Sequence, residues 1–309
     1  MAVVGATATG KSELGIALAK RLGGEVINAD SMQLYKGMDV GTAKLTNDEW
    51  QGVAHHLLDI WPVTKTASVA EYQARARAVI ARLLDDGVTP IIVGGSGLYI
   101  RALLDPLTFP GTDADVRAGL EAELESVGPA ALHARLAATD PATAAAILPS
   151  NGRKIVRALE VAAIGGGSFT GTMPAYASIY DVVLIGLDRM TAELDERLTR
   201  RVDLMWERGL VDEVRRLADH AGLRDGLTAR RALGYKQVLA MLDRQCTPEQ
   251  AREHTVQATK RFVRRQRSWF RPDPRIHWID AGRADLVERV LDQIAEHVES
   301  PPSNENRPD

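Results

Sequence analysis

The chain has one cysteine, Cys246, in 309 residues. No disulfide can form within it, which excludes a cysteine-stapled scaffold and fits a reducing cytosol. No apolar run comes near the roughly 18 residues that a membrane helix needs, so no span is expected. The start, MAVVGA, has neither the basic flank nor the long apolar stretch of a signal peptide, and it reads as a strand with almost no preamble. A net positive charge is missing too, the sum being −3. That argues against a uniformly basic nucleic-acid binder, although a whole-chain sum conceals local patches. What is present is ordinary: 45% apolar and 26% charged residues. The length supports one large domain with an insertion, or two domains.

Short apolar runs ending in glycine turns alternate with helical periodicity. MAVV, EVINAD and TPIIVGGSG read as buried strands, and DVVLIGLD and RIHWIDA follow later. The segment SELGIALAKRLGG is a helix with a glycine stop. Ser68 and Glu71 form a capping box that opens a helix to about Asp86. Thr247 and Gln250 form another, with proline at the first helical position and Pro272 ending the helix near Phe270. Strand, turn and helix in alternation imply a parallel sheet flanked by helices. From Thr112 to about Ile164 no strand pattern occurs, while Thr112-Asp113, Asp140-Pro141 and Asn151 are helix starts. The expected fold is therefore α/β, a P-loop NTPase-like parallel sheet flanked by helices with an all-helical insertion. The core takes 1–111 and 176–299, and the insertion takes 112–175. GGGSFTGTMP is expected to be a joint, and 300–309 a disordered tail.

GATATGKS matches G-x-x-x-x-G-K-[ST], between a strand and a helix. Backbone N–H groups of Gly5, Ala6, Thr7, Ala8, Thr9, Gly10, Lys11 and Ser12 would cradle a diphosphate or triphosphate. Lys11 would bridge its oxygens and the Ser12 hydroxyl would hold Mg²⁺. The motif does not say whether a phosphate is transferred or discarded. Asp30, in NADSMQLY, leaves the end of the second strand, where ligands of parallel sheets collect. Taken by itself it is equally a turn carboxylate. The pair His55-His56 lacks metal-ligand spacing, and Gly94-Gly95-Ser96-Gly97 reads as a tight turn at a strand end.

The helix approaching Phe270 is crowded with cations: Lys260, Arg261, Arg264, Arg265, Arg267 and Arg271. Positions 260, 264, 267 and 271 recur at helical spacing and suit a phosphate backbone. Phe262, Val263, Trp269 and Phe270 are expected to pack inward.

The series GATATGKS, ADSMQLYKGMDVGTAK, HHLLDI, VGGSGLY, RKIVRALEV, GYKQ and RRQRSWFR, in this order from Gly5 to Arg271, resembles the tRNA dimethylallyltransferases, also called tRNA isopentenyltransferases. The resemblance implies that a dimethylallyl group moves from dimethylallyl diphosphate to N6 of the adenosine immediately 3′ of the anticodon, and that diphosphate leaves. It implies Asp30 as general base, Thr7 beside the bridging oxygen, and Arg201 and Lys11 on the diphosphate. On the residues alone, Arg201 with Arg197 and Arg200 reads as a solvated face. The resemblance places Asp30 and Gln33 against the edge of the flipped-out base and Gly97 close to the substrate, with Ser31 and Met32 also among the tRNA contacts. It makes Arg153, Lys154 and Arg157 a second tRNA contact, by which the insertion would grip the anticodon stem-loop. Two positions depart from the family: Ala6 where proline is usual, and Ser96 where threonine is usual. A monomeric cytoplasmic enzyme is expected. The alternatives are a P-loop small-molecule kinase, an isopentenyltransferase acting on free adenine nucleotides, and a non-enzymatic RNA-binding module.

Overall fold

The computed structural model describes residues 1–165 and 173–299. Most of the expected joint and all of the expected tail lie outside these residues. The chain divides into two compact units, Met1–Pro106 with Tyr176–Asp309, and Leu107–Ala175.

The larger unit is built on six parallel strands: β1 (Ala2–Gly5), β2 (Gly24–Asn28), β3 (His55–His56), β4 (Thr89–Gly94), β5 (Leu184–Asp188) and β6 (Ile276–Asp280). Their order across the sheet is β3-β2-β4-β1-β5-β6. Along β1, Ala2 and Val4 enter the apolar core on one face, and Val3 enters the core on the other. A sheet buried on both faces needs such continuous apolar runs, which is why the sequence announces its strands without alternation. β3 has two residues, too few to leave a pattern.

The helices of this unit are α1 (Lys11–Leu22), α2 (Val69–Asp85) and α3 (Gly97–Leu104), then, after the helical unit described next, five more towards the C-terminus. The smaller unit holds α4 (Ala114–Thr139), α5 (Pro141–Ala145) and α6 (Gly152–Ala163), with no strand among its described residues. Each begins at its side-chain cap: Asp113 accepts from the N–H groups of Asp115 and Val116, Asp140 from Thr143, and Asn151 from Lys154. Gly128, with φ of 80°, kinks α4 just before Pro129. The larger unit then continues with α7 (Thr191–Glu207), α8 (Leu210–His220), α9 (Tyr235–Leu242), α10 (Pro248–Phe270) and α11 (Leu286–Glu299). Among the described residues no helix is long and apolar enough to cross a membrane.

Register brings three loops together. Val4 of β1 lies opposite Gly94 of β4, and Asn28 of β2 lies opposite Val93. The carboxyl ends of β1, β2 and β4 therefore stop side by side. GATATGKS, the Asp30 turn and the Gly94–Gly97 turn all leave from that edge. Gly5 is required there, because a Cβ on it would stand 2.3 Å from the Leu187 carbonyl oxygen of neighbouring β5.

Candidate active site

The loop from Gly5 to Ser12 leads from β1 into α1. Gly10 and Ala8 adopt left-handed backbone angles, with φ of 98° and 67°. These turns curl the chain into a concavity with α1's N-terminus at its floor. The Ala6 carbonyl accepts from the Thr9 hydroxyl at 2.9 Å and from Lys11 Nζ at 2.5 Å. One N–H is turned away from the concavity: Thr7 donates it to Gln266 Oε1 at 3.0 Å. Arg197 of α7 also braces the loop, donating to the Ala8 carbonyl at 3.0 Å.

Lys11 and Arg201 are the cations of this site. The Lys11 pKa is lowered to about 8, chiefly by burial and then by the nearby Arg201, with Asp30 and Glu13 opposing both. Burial lowers Arg201 as well, again against Asp30 and Glu13. Arg201 donates one bond, to the Thr42 carbonyl at 3.3 Å, and its Nε is buried without a partner. Two desolvated cations thus lie close together, with Asp30 and Glu13 as the negative charges near them. The other arginines of α7 behave differently: Arg200 is exposed, and Arg197 reaches only backbone.

Asp30 stands at the end of β2 in a short, splinted turn. Asn28 Oδ1 accepts the Asp30 N–H at 2.9 Å, and Asn28 Nδ2 donates to the carbonyls of Asp30 and Leu57. Asp30 Oδ1 accepts the Met32 N–H at 2.9 Å. Tyr72 and Tyr99 pack as a tilted pair with ring centres 4.8 Å apart. Burial first, and the Asp30 charge among the lesser causes, push both phenols well above their ordinary range. Both phenols therefore stay protonated near neutrality, beside the Asp30 carboxylate.

The neighbouring turn is tied to the same corner. Ser96 Oγ accepts the Ser31 N–H at 3.0 Å and lies 3.2 Å from Ser31 Oγ, so the serine in the usual threonine position keeps a working hydroxyl. Gln33 donates to the Thr42 carbonyl at 3.2 Å, the same oxygen that receives Arg201. Sequence reasoning missed what fixes that loop. Glu213, on α8 and 5% exposed, accepts the N–H groups of Asp39, Val40 and Gly41 and the Tyr235 hydroxyl. The carboxylate in turn raises Tyr235, whose pKa is shifted chiefly by burial. No local signal marks Glu213, since one acidic residue on an amphipathic helix reads as surface.

The cationic helix needs correction. The spacing puts Arg267 on an outward stripe, but its side chain is 12% exposed. Its guanidinium binds Asp188 and the Thr191 hydroxyl at 2.8 Å each, and the Arg189 carbonyl. Lys260 pairs with Asp195 at 3.2 Å. Lys260 thus faces α7, and Arg267 faces the end of β5 and the start of α7. The exposed cations are Arg261, Arg264, Arg265 and Arg271, a stripe rotated from the expected one. Val263 and Phe270 pack inward as expected, whereas Trp269 is 39% exposed. Its ring covers Gly97, where a Cβ would lie 2.0 Å from Trp269 Cδ1.

In the helical unit Arg157 is likewise committed to structure. It binds Glu160 at 2.8 Å and the carbonyls of Pro110 and Gly111. Burial would raise the Glu160 pKa, but Arg117, Arg157 and the Asp113 N–H outweigh it and hold the carboxyl below its ordinary range. Arg153 and Lys154 are exposed. Glu25 binds His56 at 2.6 Å, and no cluster of three metal-ligating side chains occurs among the described residues.

With Lys11 titrating near 8, we expect substrate capture to have an alkaline limb. The charged form attracts phosphate and is lost as pH rises. At a sub-saturating phosphorylated substrate, kcat/KM should fall about tenfold per pH unit above this point. In Lys11→Arg the residual activity should lack that limb, because a guanidinium does not titrate there. A limb that persists in that variant would assign it to another group.

Comparison with known proteins gives a consistent picture. A family model described as IPP transferase matches residues 33–273. A protein named tRNA dimethylallyltransferase from Acidothermus cellulolyticus is 64% identical over 284 residues, covering 92% of this chain and 89% of its own. One of the same name from Streptomyces coelicolor is 65% identical over 288 residues, covering 93% and 92%. Among solved structures, a full-length tRNA isopentenylpyrophosphate transferase from Bacillus halodurans is 40% identical, with a TM-score of 0.72 and 96% of each chain covered. A eukaryotic dimethylallyltransferase acting on tRNA is 25% identical, with a TM-score of 0.81 over 99% of this chain and 81% of its own.

Proposed function

This chain belongs to the IPP transferase family, and from that premise we propose that it transfers a dimethylallyl group from dimethylallyl diphosphate to N6 of the adenosine immediately 3′ of the anticodon in tRNA. The observation that carries the reading is the meeting of Lys11, Arg201 and Asp30 at one strand edge. Two cations in need of an anion stand beside one carboxylate able to take a proton.

In the reaction N6 attacks C1 of the allylic chain, and the C1–O bond to diphosphate breaks. The exocyclic amine is a poor nucleophile, because its lone pair is delocalised into the ring. Its proton passes to the Asp30 carboxylate as the N–C bond forms. Negative charge gathers on the bridging oxygen, and Lys11, Arg201, the loop amides and the Thr7 hydroxyl stabilise it. Mg²⁺ keeps few protein ligands and takes the rest from phosphate and water. A loop that ends in the Ser12 hydroxyl, without an acidic cage, fits that habit. Ser12 would hold the ion, which would neutralise charge on the departing diphosphate.

The base must leave its stack to reach Asp30. Ser31, Met32, Gln33 and Gly97 surround that approach, and exposed Trp269 offers a stacking face beside Gly97. Arg261, Arg264, Arg265 and Arg271 supply the phosphate contacts from α10, with Arg153 and Lys154 doing so in the helical unit. The reading also places the enzyme in the cytoplasm. It is tested by supplying unmodified tRNA, AMP and ATP in parallel with radiolabelled dimethylallyl diphosphate and Mg²⁺; label should enter tRNA alone. Neutralising Arg264 and Arg265 together should weaken tRNA binding and flatten its salt dependence by about 1 to 2 in log–log slope. An unchanged slope would remove α10 from the RNA footprint.

A further inference from the structure

Gln266 is a polar side chain that neither the phosphate site nor the RNA face accounts for. It lies on the inward side of α10 and is 5% exposed. Its Oε1 accepts the Thr7 N–H at 3.0 Å, and its Nε2 donates to the Gly95 carbonyl at 2.9 Å. One amide thus joins the phosphate loop, the β4 turn and α10. The contact is close: a Cβ on Gly95 would stand 2.4 Å from Gln266 Nε2. The two partners fix the amide's orientation, since Thr7 N–H can only donate and the Gly95 carbonyl can only accept. A methyl-ended side chain of equal length would leave both backbone groups unpaired. A carboxylate would serve Thr7 but would set negative charge against the Gly95 carbonyl.

We propose that Gln266 is a positioning residue that couples the RNA-binding helix to the diphosphate loop. By taking the Thr7 N–H it turns that residue's amide into the protein and sets the pose of the loop's first half. The remaining amides and the Thr7 side chain are left to meet the diphosphate. Its immediate neighbour Arg265 is an exposed cation on the same helix. A tRNA held on that face therefore bears on the loop through the Gln266 amide, beside the apolar packing of Val263 with Ala6. This inference rests on the function proposed above.

The test uses the full-length protein, two variants and two readouts. In Gln266→Met, kcat for prenyl transfer should fall at least tenfold while the tRNA Kd stays within twofold. Affinity for inorganic diphosphate with Mg²⁺, measured by calorimetry, should fall at least fivefold. In Gln266→Glu, kcat relative to the unsubstituted protein should climb severalfold as pH is lowered from about 8 to about 6. Protonation restores an O–H donor for Gly95 while the other oxygen still serves Thr7. A merely structural glutamine would not give that recovery. The proposal is overturned if Gln266→Met keeps kcat and diphosphate affinity within twofold. It is equally overturned if both variants lose kcat, tRNA affinity and folded fraction together with no recovery at low pH. If the unsubstituted protein transfers no prenyl group, the reaction assignment fails, and diphosphate affinity alone then decides the role of Gln266.

Discussion

Asp30→Asn should lower the rate of prenyl transfer by about 10² to 10⁴, the usual contribution of a positioned general base. The substitution is chosen because the turn survives it. The side-chain oxygen that accepts the Met32 N–H is kept, and Asn28 still holds the Asp30 backbone from both sides. Only the capacity to take a proton is removed. Binding of tRNA, measured by filter retention, should stay within about twofold, because phosphate contacts dominate that affinity. A rate within tenfold of the unsubstituted protein would mean that the N6 proton leaves by another route.

Arg201→Ala should reduce kcat/KM for dimethylallyl diphosphate by about 10² to 10³, the scale seen when one stabilising donor is removed from a developing anion. The same change should leave the unligated protein as stable as before, or raise its Tm. Arg201 is a half-buried cation with one backbone bond, a buried Nε without a partner and, among the described residues, no ion pair in direct contact, so it costs the fold more than it contributes. A structural arginine would behave in the opposite way. A second sign follows from Lys11. Arg201 is the second cause of its lowered pKa, after burial. Removing Arg201 lets the Lys11 ammonium hold its proton to higher pH, so the alkaline limb of kcat/KM should move upward. A drop in Tm with no change in the limb would recast Arg201 as part of the fold.

The phosphate loop and the edge carrying Asp30 were legible in the sequence because both depend on local backbone chemistry. Gly5 and Gly10 occupy angles and approaches that a side chain would spoil, and the flanking strand and helix are read from continuous burial and periodicity. What Asp30 faces was not legible. Arg201 comes from a helix far along the chain, and on that helix it is one of three arginines with no internal sign of which turns inward. The resemblance singled it out, and its unpartnered Nε and the closeness of Lys11 support that proposal. The cationic stripe on α10 shows the same limit. Spacing identifies residues that share a face, but it does not say that the end of β5 supplies Asp188 to occupy Arg267 and that α7 supplies Asp195 to occupy Lys260. In the helical unit, Glu160 takes Arg157 out of the basic patch for the same reason. Glu213 and Gln266 went unread because each serves backbone groups distant in sequence.

The central claim is that this phosphate loop holds a leaving group. The most direct measurement uses dimethylallyl diphosphate labelled with ¹⁴C in the prenyl chain and ³²P in the diphosphate, mixed with the protein, Mg²⁺ and unmodified tRNA. The account predicts ¹⁴C in the tRNA at N6 of the adenosine 3′ of the anticodon, ³²P released as free diphosphate in equal amount, and no requirement for ATP. Phosphorus carried into the product, or a need for ATP with no prenyl group reaching the tRNA, would contradict it.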